Sequence, residues 1–184
     1  MLEKIIDLDK SVFVFLNNLG SEPFDAIWLL ITKQINWIPF FLLLAYILYK
    51  KVNQKQFLYT LVFIALMITF SDQTINLIKN NVQRLRPCND EELTGLIRIV
   101  KDSDTFSYFS GHAANSTAAM MFLFLILRQH YKYSYLIFLF PLIFAYSRIY
   151  LGLHFPLDII SGYIYGSLVG VLFYTIYRKI TNKI

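Results

Sequence analysis

Two histidines and a carboxylate have the residue types and spacing that best fit catalysis in this sequence. His154 and Asp158 are four residues apart, so a helix that begins near residue 155 places them close to one face. A carboxylate that holds one imidazole nitrogen fixes the tautomer and leaves the other nitrogen free to act as a nucleophile. His112, when protonated, can donate its proton to a departing oxygen. We therefore expect His154, His112 and Asp158 to be catalytic.

Three cationic side chains could surround an anion near these residues. Lys79, Arg86 and Arg148 donate hydrogen bonds but cannot accept them, and a guanidinium group matches phosphate oxygens in a bidentate way. Ser110 and Gly111 precede a predicted helix, where backbone N–H groups and the positive end of the helix attract an anion. The five residues together predict a cradle for a phosphoryl group.

No metal and no cofactor are predicted at this site. Two histidines and nearby aspartates could ligate zinc, but three neighbouring cations would oppose a divalent ion. Phosphoryl transfer depends mostly on positioning and charge neutralisation, which fixed cations can supply. The one cysteine, Cys88, is interpreted as a packing residue. Arg84 and Arg98 are interpreted as interfacial side chains that extend their charges into water.

The elements that must position these side chains are predicted to be membrane helices. Of the 184 residues, 57% are hydrophobic and 16% are charged. Soluble proteins have about 45–50% apolar and about 25% charged residues. One soluble core of this size cannot bury so much apolar surface. The net charge is +5, and the Lys and Arg residues lie mainly between and after the apolar segments. We therefore interpret them as residues that set the orientation of the protein in the membrane, and not as a nucleic-acid-binding surface.

Five apolar runs bounded by charge are the predicted membrane spans. The first lies within residues 23–49 and is most apolar at residues 35–49, and the others cover residues 57–78, 113–127, 133–150 and 155–177. Residues 1–22 are too polar for a span and are predicted to form an amphipathic interfacial helix without a cleaved signal peptide. Six spans result if residues 5–31 form a hairpin instead. The predicted fold is all-α, a polytopic membrane helical bundle with five or six transmembrane helices in a single domain over residues 1–184.

The loops between the spans predict which way the site faces. The loops on one side carry cations and no acidic residue: Lys50, Lys51, Lys55, Arg128, Lys132, Arg178, Lys179 and Lys183. This excess of Lys and Arg predicts that this side, with the C-terminus, is cytoplasmic. The candidate site residues lie at four span ends on the opposite side. We therefore expect an active site on the extracytoplasmic face of the inner membrane.

The sequence resembles the membrane-bound type 2 phosphatidic acid phosphatase superfamily in three blocks. They are Lys79 with Arg86-Pro87 after six intervening residues, Phe109-Ser110-Gly111-His112, and Ser147-Arg148 followed by His154 and Asp158. Phe109 stands where the family usually has proline. The resemblance covers about residues 57–177, the expected catalytic core, and implies a metal-independent phosphatase in an all-helical membrane fold.

This resemblance also implies a role for each matching residue. It implies that His154 attacks phosphorus and forms a phosphohistidine, that Asp158 orients His154, and that His112 protonates the leaving group. The residues implied to hold the phosphate are Lys79, Arg86, Ser110, Gly111 and Arg148. The polar run at residues 71–73 and the segment at residues 84–88 look like those of small bacterial members, many of which are undecaprenyl-diphosphate phosphatases.

The expected substrate is a membrane lipid with a phosphate monoester or a diphosphate. Undecaprenyl diphosphate is the first expectation, and phosphatidylglycerol phosphate, phosphatidic acid and the 1-phosphate of lipid A are alternatives. A transporter or binding protein for an anionic lipid would explain the cations, but not His112 or the spacing of His154 and Asp158. A haloperoxidase shares such a site, but the extensive membrane spans argue against it. No nucleic acid and no obligatory protein partner are expected.

Overall fold

The computed structural model describes residues 2–181, and every regular element among them is helical. Short 3-10 turns interrupt the connections between the α-helices. The helices are α1 (Leu2–Asn18), α2 (Asp25–Ile31), α3 (Ile38–Tyr49), α4 (Gln54–Val82), α5 (Gly111–Leu127), α6 (Leu139–Tyr150) and α7 (Pro156–Thr181). The predicted all-α class is confirmed.

Two helices, α4 and α7, are long and apolar enough to cross a membrane. The bent pair Glu22–Ile31 and Gln34–Tyr49 makes a third candidate span, with an angle of 71° at the break. Helix α5 and the segment Ser134–Tyr150 are apolar but shorter. Large hydrophobic side chains lie exposed on the outer faces of α3, α4 and α7, as surfaces in contact with lipid require. The protein is a membrane helical bundle, and the number of five spans stays a prediction.

Side-chain caps define where α4 and α5 begin. Asn53 accepts a hydrogen bond from the Gln56 backbone N–H at 2.9 Å, and the Gln56 side chain accepts one from the Asn53 N–H at 3.4 Å. Ser110 caps α5 by accepting from the Ala113 N–H at 3.4 Å. Helix α5 therefore begins at Gly111, two residues before the predicted span. This start places the candidate phosphate-binding backbone on its first turn.

Helices α5 and α7 form the most extensive helix pair and run parallel. Gly162, Gly166 and Gly170 lie at four-residue spacing on the face of α7 that meets α5. A Cβ atom at Gly162 would lie 2.9 Å from the Ser110 carbonyl oxygen, and one at Gly170 would lie 2.8 Å from that of Ala118. The glycines therefore let the two backbones approach closely. This approach brings the N-terminal ends of both helices together at the site.

The predicted first span, residues 23–49, is not a continuous helix. Helix α2 ends at Ile31, Lys33 has extended backbone angles (φ −83°, ψ 117°), and α3 begins at Ile38 after a 3-10 turn. The sequence signal for this break is the polar pair Thr32-Lys33 inside an apolar run. Thr32 at the break uses its carbonyl and hydroxyl oxygens to bond side chains of the candidate site.

Helix α1 packs against α6 and α7. Its inward face carries Asp9, Phe13 and Asn17 at four-residue spacing, and all three are buried. Its outer face is apolar, and the side chains of Leu8 and Phe15 are both 64% exposed. The amphipathic pattern is therefore present, with two polar residues directed into the protein. An interfacial position in the bilayer stays a prediction.

Candidate active site

His154 lies in the short loop between α6 and α7, and its ring is buried. Its Nδ1 is 3.4 Å from Oδ2 of Asp158, and its Nε2 is 3.1 Å from Nη1 of Arg86. A guanidinium group can only donate, so Nε2 accepts this bond and the ring proton lies on Nδ1, toward Asp158. Asp158 therefore holds one ring nitrogen, and Arg86 bonds the other. The Nε2 lone pair faces the cationic side chains.

The environment of His154 keeps the imidazole neutral. Burial is the largest cause that lowers the pKa of His154, to about 3. Asp158 opposes this shift, whereas Arg86 and Arg148 add to it by charge repulsion. A histidine that is neutral at physiological pH keeps its lone pair available for attack on an electrophile.

Asp158 is fully buried in the first turn of α7, and both of its carboxylate oxygens are bonded. Oδ2 accepts from the Phe155 N–H at 3.0 Å and from the Ser107 hydroxyl. Oδ1 accepts from Nη1 of Arg84 at 2.7 Å. These bonds hold the carboxylate in one orientation, with Oδ2 toward His154. Sequence reasoning did not identify Ser107, because its partner Asp158 is 51 positions away.

Arg84 and Arg98 do not extend into water, and that interpretation of the sequence is wrong. Arg84 bridges two buried carboxylates, Asp158 at 2.7 Å and Asp9 at 2.6 Å. Arg98 donates to both oxygens of Asp25 at 2.9 Å. The partners are 73 to 75 positions apart in the chain. These pairs can be recognised only in the folded structure. A carboxylate such as Asp9 on a mostly apolar helix nevertheless indicates that a cationic partner is needed.

Lys79 approaches the region around His154 from the last turn of α4, and Arg86 approaches it from the loop after that helix. Arg86 donates from Nη1 to the Leu153 carbonyl at 2.8 Å and from Nε to the Thr105 carbonyl at 2.7 Å. Lys79 donates from Nζ to the Phe106 carbonyl at 3.0 Å. The oxygens that these cations meet belong to neutral groups. Among the described residues, no carboxylate in direct contact cancels their positive charges.

Arg148 and His112 meet at Thr32. Arg148 donates from Nη1 to the Thr32 hydroxyl oxygen at 2.7 Å, and His112 Nε2 lies 3.3 Å from the Thr32 carbonyl oxygen. The His112 ring stacks on Phe144, with ring centroids 4.6 Å apart. The buried Nε of Arg148 has no hydrogen-bond partner within residues 2–181. Thr32 therefore orients two candidate site residues, although the sequence analysis did not single it out.

Ser110 and Gly111 bring the first turn of α5 next to Asp158. The Ser110 N–H donates to the Asp158 carbonyl oxygen at 3.0 Å. A Cβ atom at Gly111 would meet only the Ile75 side chain, at 4.0 Å. Packing within the described residues therefore does not require glycine at this position. Its predicted role in close approach to a phosphate stays a prediction.

Within residues 2–181, no three His, Cys, Asp or Glu side chains are grouped so that they could hold a metal ion. Independence from metals and cofactors stays a prediction. The Cys88 side chain is partly buried and packs against the cluster of Tyr150, Leu151 and Leu153. This contact agrees with its interpretation as a packing residue.

Fold and site together define a class, a helical membrane protein with a buried His–Asp pair beside three cations that suit a phosphoryl group. The sequence profile of the PAP2 superfamily matches residues 60–182. The chain is 37% identical to a lipid A 4'-phosphatase of Bacteroides thetaiotaomicron, over 100% of this chain and 83% of the relative. It is 28% identical to an undecaprenyl-diphosphatase of Sulfolobus acidocaldarius, over 92% of this chain and 79% of that one.

A solved structure has the same fold. It is a transmembrane PAP2-type phosphatidylglycerolphosphate phosphatase from Bacillus subtilis, with a TM-score of 0.69 and 18% sequence identity. The similarity covers 98% of this chain and 88% of the other. The chain belongs to the PAP2 superfamily and is a membrane lipid phosphatase. The resemblance found in the three sequence blocks is confirmed, and a non-catalytic lipid transporter is no longer needed to explain the cations.

Proposed function

We propose that this phosphatase hydrolyses the phosphate monoester of a lipid A-type glycolipid, and in particular its 4'-phosphate. The observation that carries this proposal is the 37% identity to the lipid A 4'-phosphatase of Bacteroides thetaiotaomicron across the whole chain. The sequence analysis put undecaprenyl diphosphate first and lipid A 1-phosphate among the alternatives. The order changes because this similarity includes the helices and loops around the site as well as the site itself.

The contacts of the cations support phosphate binding. Lys79 and Arg86 donate to backbone carbonyls, which a phosphate oxygen can replace as acceptors without breaking an ion pair. Arg148 Nε is a buried donor with no partner among the described residues. Leaving such a donor unsatisfied costs about 1–3 kcal/mol. A phosphate held also by Ser110 and Gly111 at the start of α5 would recover that cost.

The first half of the reaction transfers the phosphoryl group to His154. The Nε2 lone pair attacks phosphorus, the bond from phosphorus to the lipid oxygen breaks, and a phosphohistidine forms. Asp158 balances the positive charge on the ring through the Nδ1 proton, since its Oδ2 lies 3.4 Å from Nδ1. Protonated His112 donates its proton to the lipid oxygen as it leaves. The products of this half are the lipid alcohol and neutral His112.

The second half releases inorganic phosphate. A water molecule attacks phosphorus, and His112 accepts a proton from that water. The bond between nitrogen and phosphorus breaks, the Nε2 lone pair returns to His154, and His112 is again protonated. The three cations stabilise the negative charge on the phosphoryl oxygens in both halves.

Undecaprenyl diphosphate is the second candidate substrate. The 28% identity to the undecaprenyl-diphosphatase of Sulfolobus acidocaldarius supports it and also extends over most of the chain. Attack of His154 on the terminal phosphorus would release the prenyl monophosphate. The two candidates differ in head group and in the shape of the hydrophobic part, but the same site chemistry serves both.

We also propose that the site faces the extracytoplasmic side of the inner membrane and that the C-terminal end of α7 is cytoplasmic. The uniformly basic loops support this orientation, because they lie together at the end of the bundle opposite His154. Lys51 Nζ lies over the Tyr131 ring, 5.2 Å from its centroid, and Thr60 Oγ1 is 3.2 Å from the Tyr177 hydroxyl. These contacts join the ends of four helices on the side rich in Lys and Arg.

A substrate panel tests the function. Purified protein in detergent is given lipid A with both phosphates, undecaprenyl diphosphate, phosphatidylglycerol phosphate and phosphatidic acid, and released phosphate is measured. We expect the highest kcat/KM with lipid A, and mass spectrometry of the product to place the loss at the 4' position. Release from undecaprenyl diphosphate with none from lipid A would replace the first proposal by the second.

A further inference from the structure

Arg84 links the first helix of the protein to the candidate catalytic pair. Its Nη1 donates to Oδ1 of Asp158 at 2.7 Å, and its Nη2 donates to Oδ2 of Asp9 at 2.6 Å. Both carboxylates are buried, and the Arg84 side chain is 21% exposed. The chain of contacts therefore runs from His154 through Asp158 and Arg84 to α1.

We infer that Arg84 and Asp9 are positioning residues, which hold Asp158 so that its Oδ2 faces the imidazole of His154. Arg84 occupies Oδ1 of Asp158, and this leaves Oδ2 to the His154 ring, the Phe155 N–H and the Ser107 hydroxyl. Asp9 in turn holds the guanidinium group that does this. The inference rests on the proposed catalytic role of His154 and Asp158.

Helix α1 supports the same segment at two further points. Asp9 Oδ1 accepts from the Leu157 N–H at 2.8 Å, and so it also bonds the first turn of α7. The Arg84 guanidinium carbon lies 4.1 Å from the centroid of the Phe155 ring, and Phe13 packs edge-on against that ring at 5.3 Å. Two of the residues between His154 and Asp158 are therefore held from α1, by Asp9 and Phe13, which are one turn apart along that helix.

The contacts of Arg84 differ from those of the candidate phosphate-binding arginines. Arg84 is paired with two carboxylates, and its Nη1 and Nη2 each bond one of them. Arg86 and Arg148 bond only neutral oxygens and a neutral imidazole in the described residues. A phosphate would have to compete with both carboxylates for Arg84. Arg84 therefore acts on the reaction through Asp158 and not by contact with the substrate.

Two substitutions at Arg84 separate positioning from binding. Arg84→Gln removes the charge and the bridge, and we expect kcat to fall by up to about a hundredfold, as for a small misplacement of a reacting group, with KM unchanged. Arg84→Lys keeps the charge but cannot hold two carboxylates with a planar fork, and we expect a smaller loss of kcat. Arg98→Gln is the matched control, because it breaks another Arg–Asp pair between distant segments and should leave kcat within about twofold.

The pH profile of kcat/KM gives a second readout that a purely structural role would not move. Several charged or titratable groups surround the His154–Asp158 pair, and they are Asp9 from α1, Lys79 from α4, Arg84 and Arg86 from the loop, His112 from α5 and Arg148 from α6. Loss of the Arg84 charge favours protonated His154, so the acid limb should move to higher pH by about one unit. Arg84→Lys should return the limb to its wild-type position.

The outcomes separate this inference from the proposed function. Wild-type kcat and an unshifted acid limb in folded Arg84→Gln would overturn the positioning role and leave the phosphatase mechanism intact. A raised KM with normal kcat would show instead that Arg84 binds substrate. If Arg84→Gln does not fold, Arg84→Lys decides by the same comparison of kcat with KM. A wild-type protein that releases no phosphate from any lipid of the panel would contradict the proposed function itself.

Discussion

His154 has one ring nitrogen toward a carboxylate and the other toward cations, and this asymmetry defines its chemistry. Nδ1 faces Asp158 and Nε2 faces Arg86, at 3.4 and 3.1 Å. The cation cannot accept a hydrogen bond, so the proton and the lone pair each have one possible place. A neutral imidazole with its lone pair toward a phosphate site is suited to nucleophilic attack.

Replacing the proposed nucleophile should abolish the reaction. We expect His154→Ala to lower kcat by about 10³-fold or more, because the substitution removes the nucleophile proposed to form the covalent intermediate. His130→Ala is the matched control, since His130 is exposed at the opposite end of α5 and should not affect kcat. Phosphate release from the preferred lipid is the measurement, with EDTA added in parallel. Full activity in His154→Ala, or a strict requirement for added metal, would contradict the mechanism.

Buried neutral His154 should make the protein less stable in acid. Its pKa is about 3 in the folded protein, against an ordinary value of 6.5. Between these values the unfolded chain binds more protons, so stability is full above about pH 6.5 and falls as the pH decreases toward 3. In His154→Gln this contribution is lost, and the melting temperature in detergent should fall less steeply over that window. Identical slopes for the two proteins would mean that folding does not lower the pKa of His154.

The three motif blocks were predictable because each combines residue type with a short, fixed spacing. His154 and Asp158 meet within one helical turn, and Ser110 and Gly111 are adjacent. Thr32, Ser107 and Arg84 were not predictable in the same way. Each acts on a residue that is 51 or more positions away, so its role depends on how the helices pack.

Helix ends are the elements that bring the candidate site together. Lys79 lies in the last turn of α4, Ser110 caps α5, Arg148 lies in the last turn of α6 and Asp158 in the first turn of α7. Charge at the ends of the apolar runs predicted these boundaries to within a few residues. The sequence analysis did not predict the break at Thr32, because the helical segments before and after it are apolar.

Close packing of α5 on α7 should be sensitive to a single methyl group. A Cβ atom at Gly166 would collide with the Ala114 carbonyl oxygen. We expect Gly166→Ala to destabilise the protein by about 1–3 kcal/mol, as overpacking does. It should also lower kcat, because His112 and His154 are carried on the two sides of this interface. Thermal unfolding in detergent and phosphate release are the measurements.

Leu168→Ala is the control for this substitution. Leu168 lies two residues further along α7 and is 66% exposed on the outer face. Its truncation should change neither the melting temperature nor kcat by a comparable amount. Equal effects of the two substitutions would mean that the glycine contact with α5 has no special importance.

At the scale of the whole molecule, the two ends of the bundle differ in charge and chemistry. One end contains the candidate site, and the other contains basic loops such as those with Lys51 and Lys132. Composition and apolar runs predicted this polarity and the all-helical membrane fold. They did not predict that α1 directs Asp9 and Asn17 into the protein. An amphipathic pattern shows that a helix has two different faces, but it does not show which face packs against the other helices.

The proposed orientation predicts which end a membrane-impermeant reagent reaches. In a Cys88→Ser background, Glu91→Cys should react with an impermeant maleimide in intact cells. Lys132→Cys should react only after the inner membrane is permeabilised. Both side chains are exposed, so burial does not decide the outcome. The reverse pattern of labelling would place the site in the cytoplasm.

The separation of the buried site from the lipid-facing surfaces has a consequence for how such enzymes diversify. The outer faces of α4 and α7 carry exposed side chains such as Leu66 and Ile164, whereas His154 and Asp158 are buried. Mutations there can accumulate without a penalty to the chemistry and can change which hydrocarbon tail is preferred. Natural selection can thus retune the lipid while the reaction stays constant, which agrees with relatives named for a glycolipid and for a prenyl diphosphate.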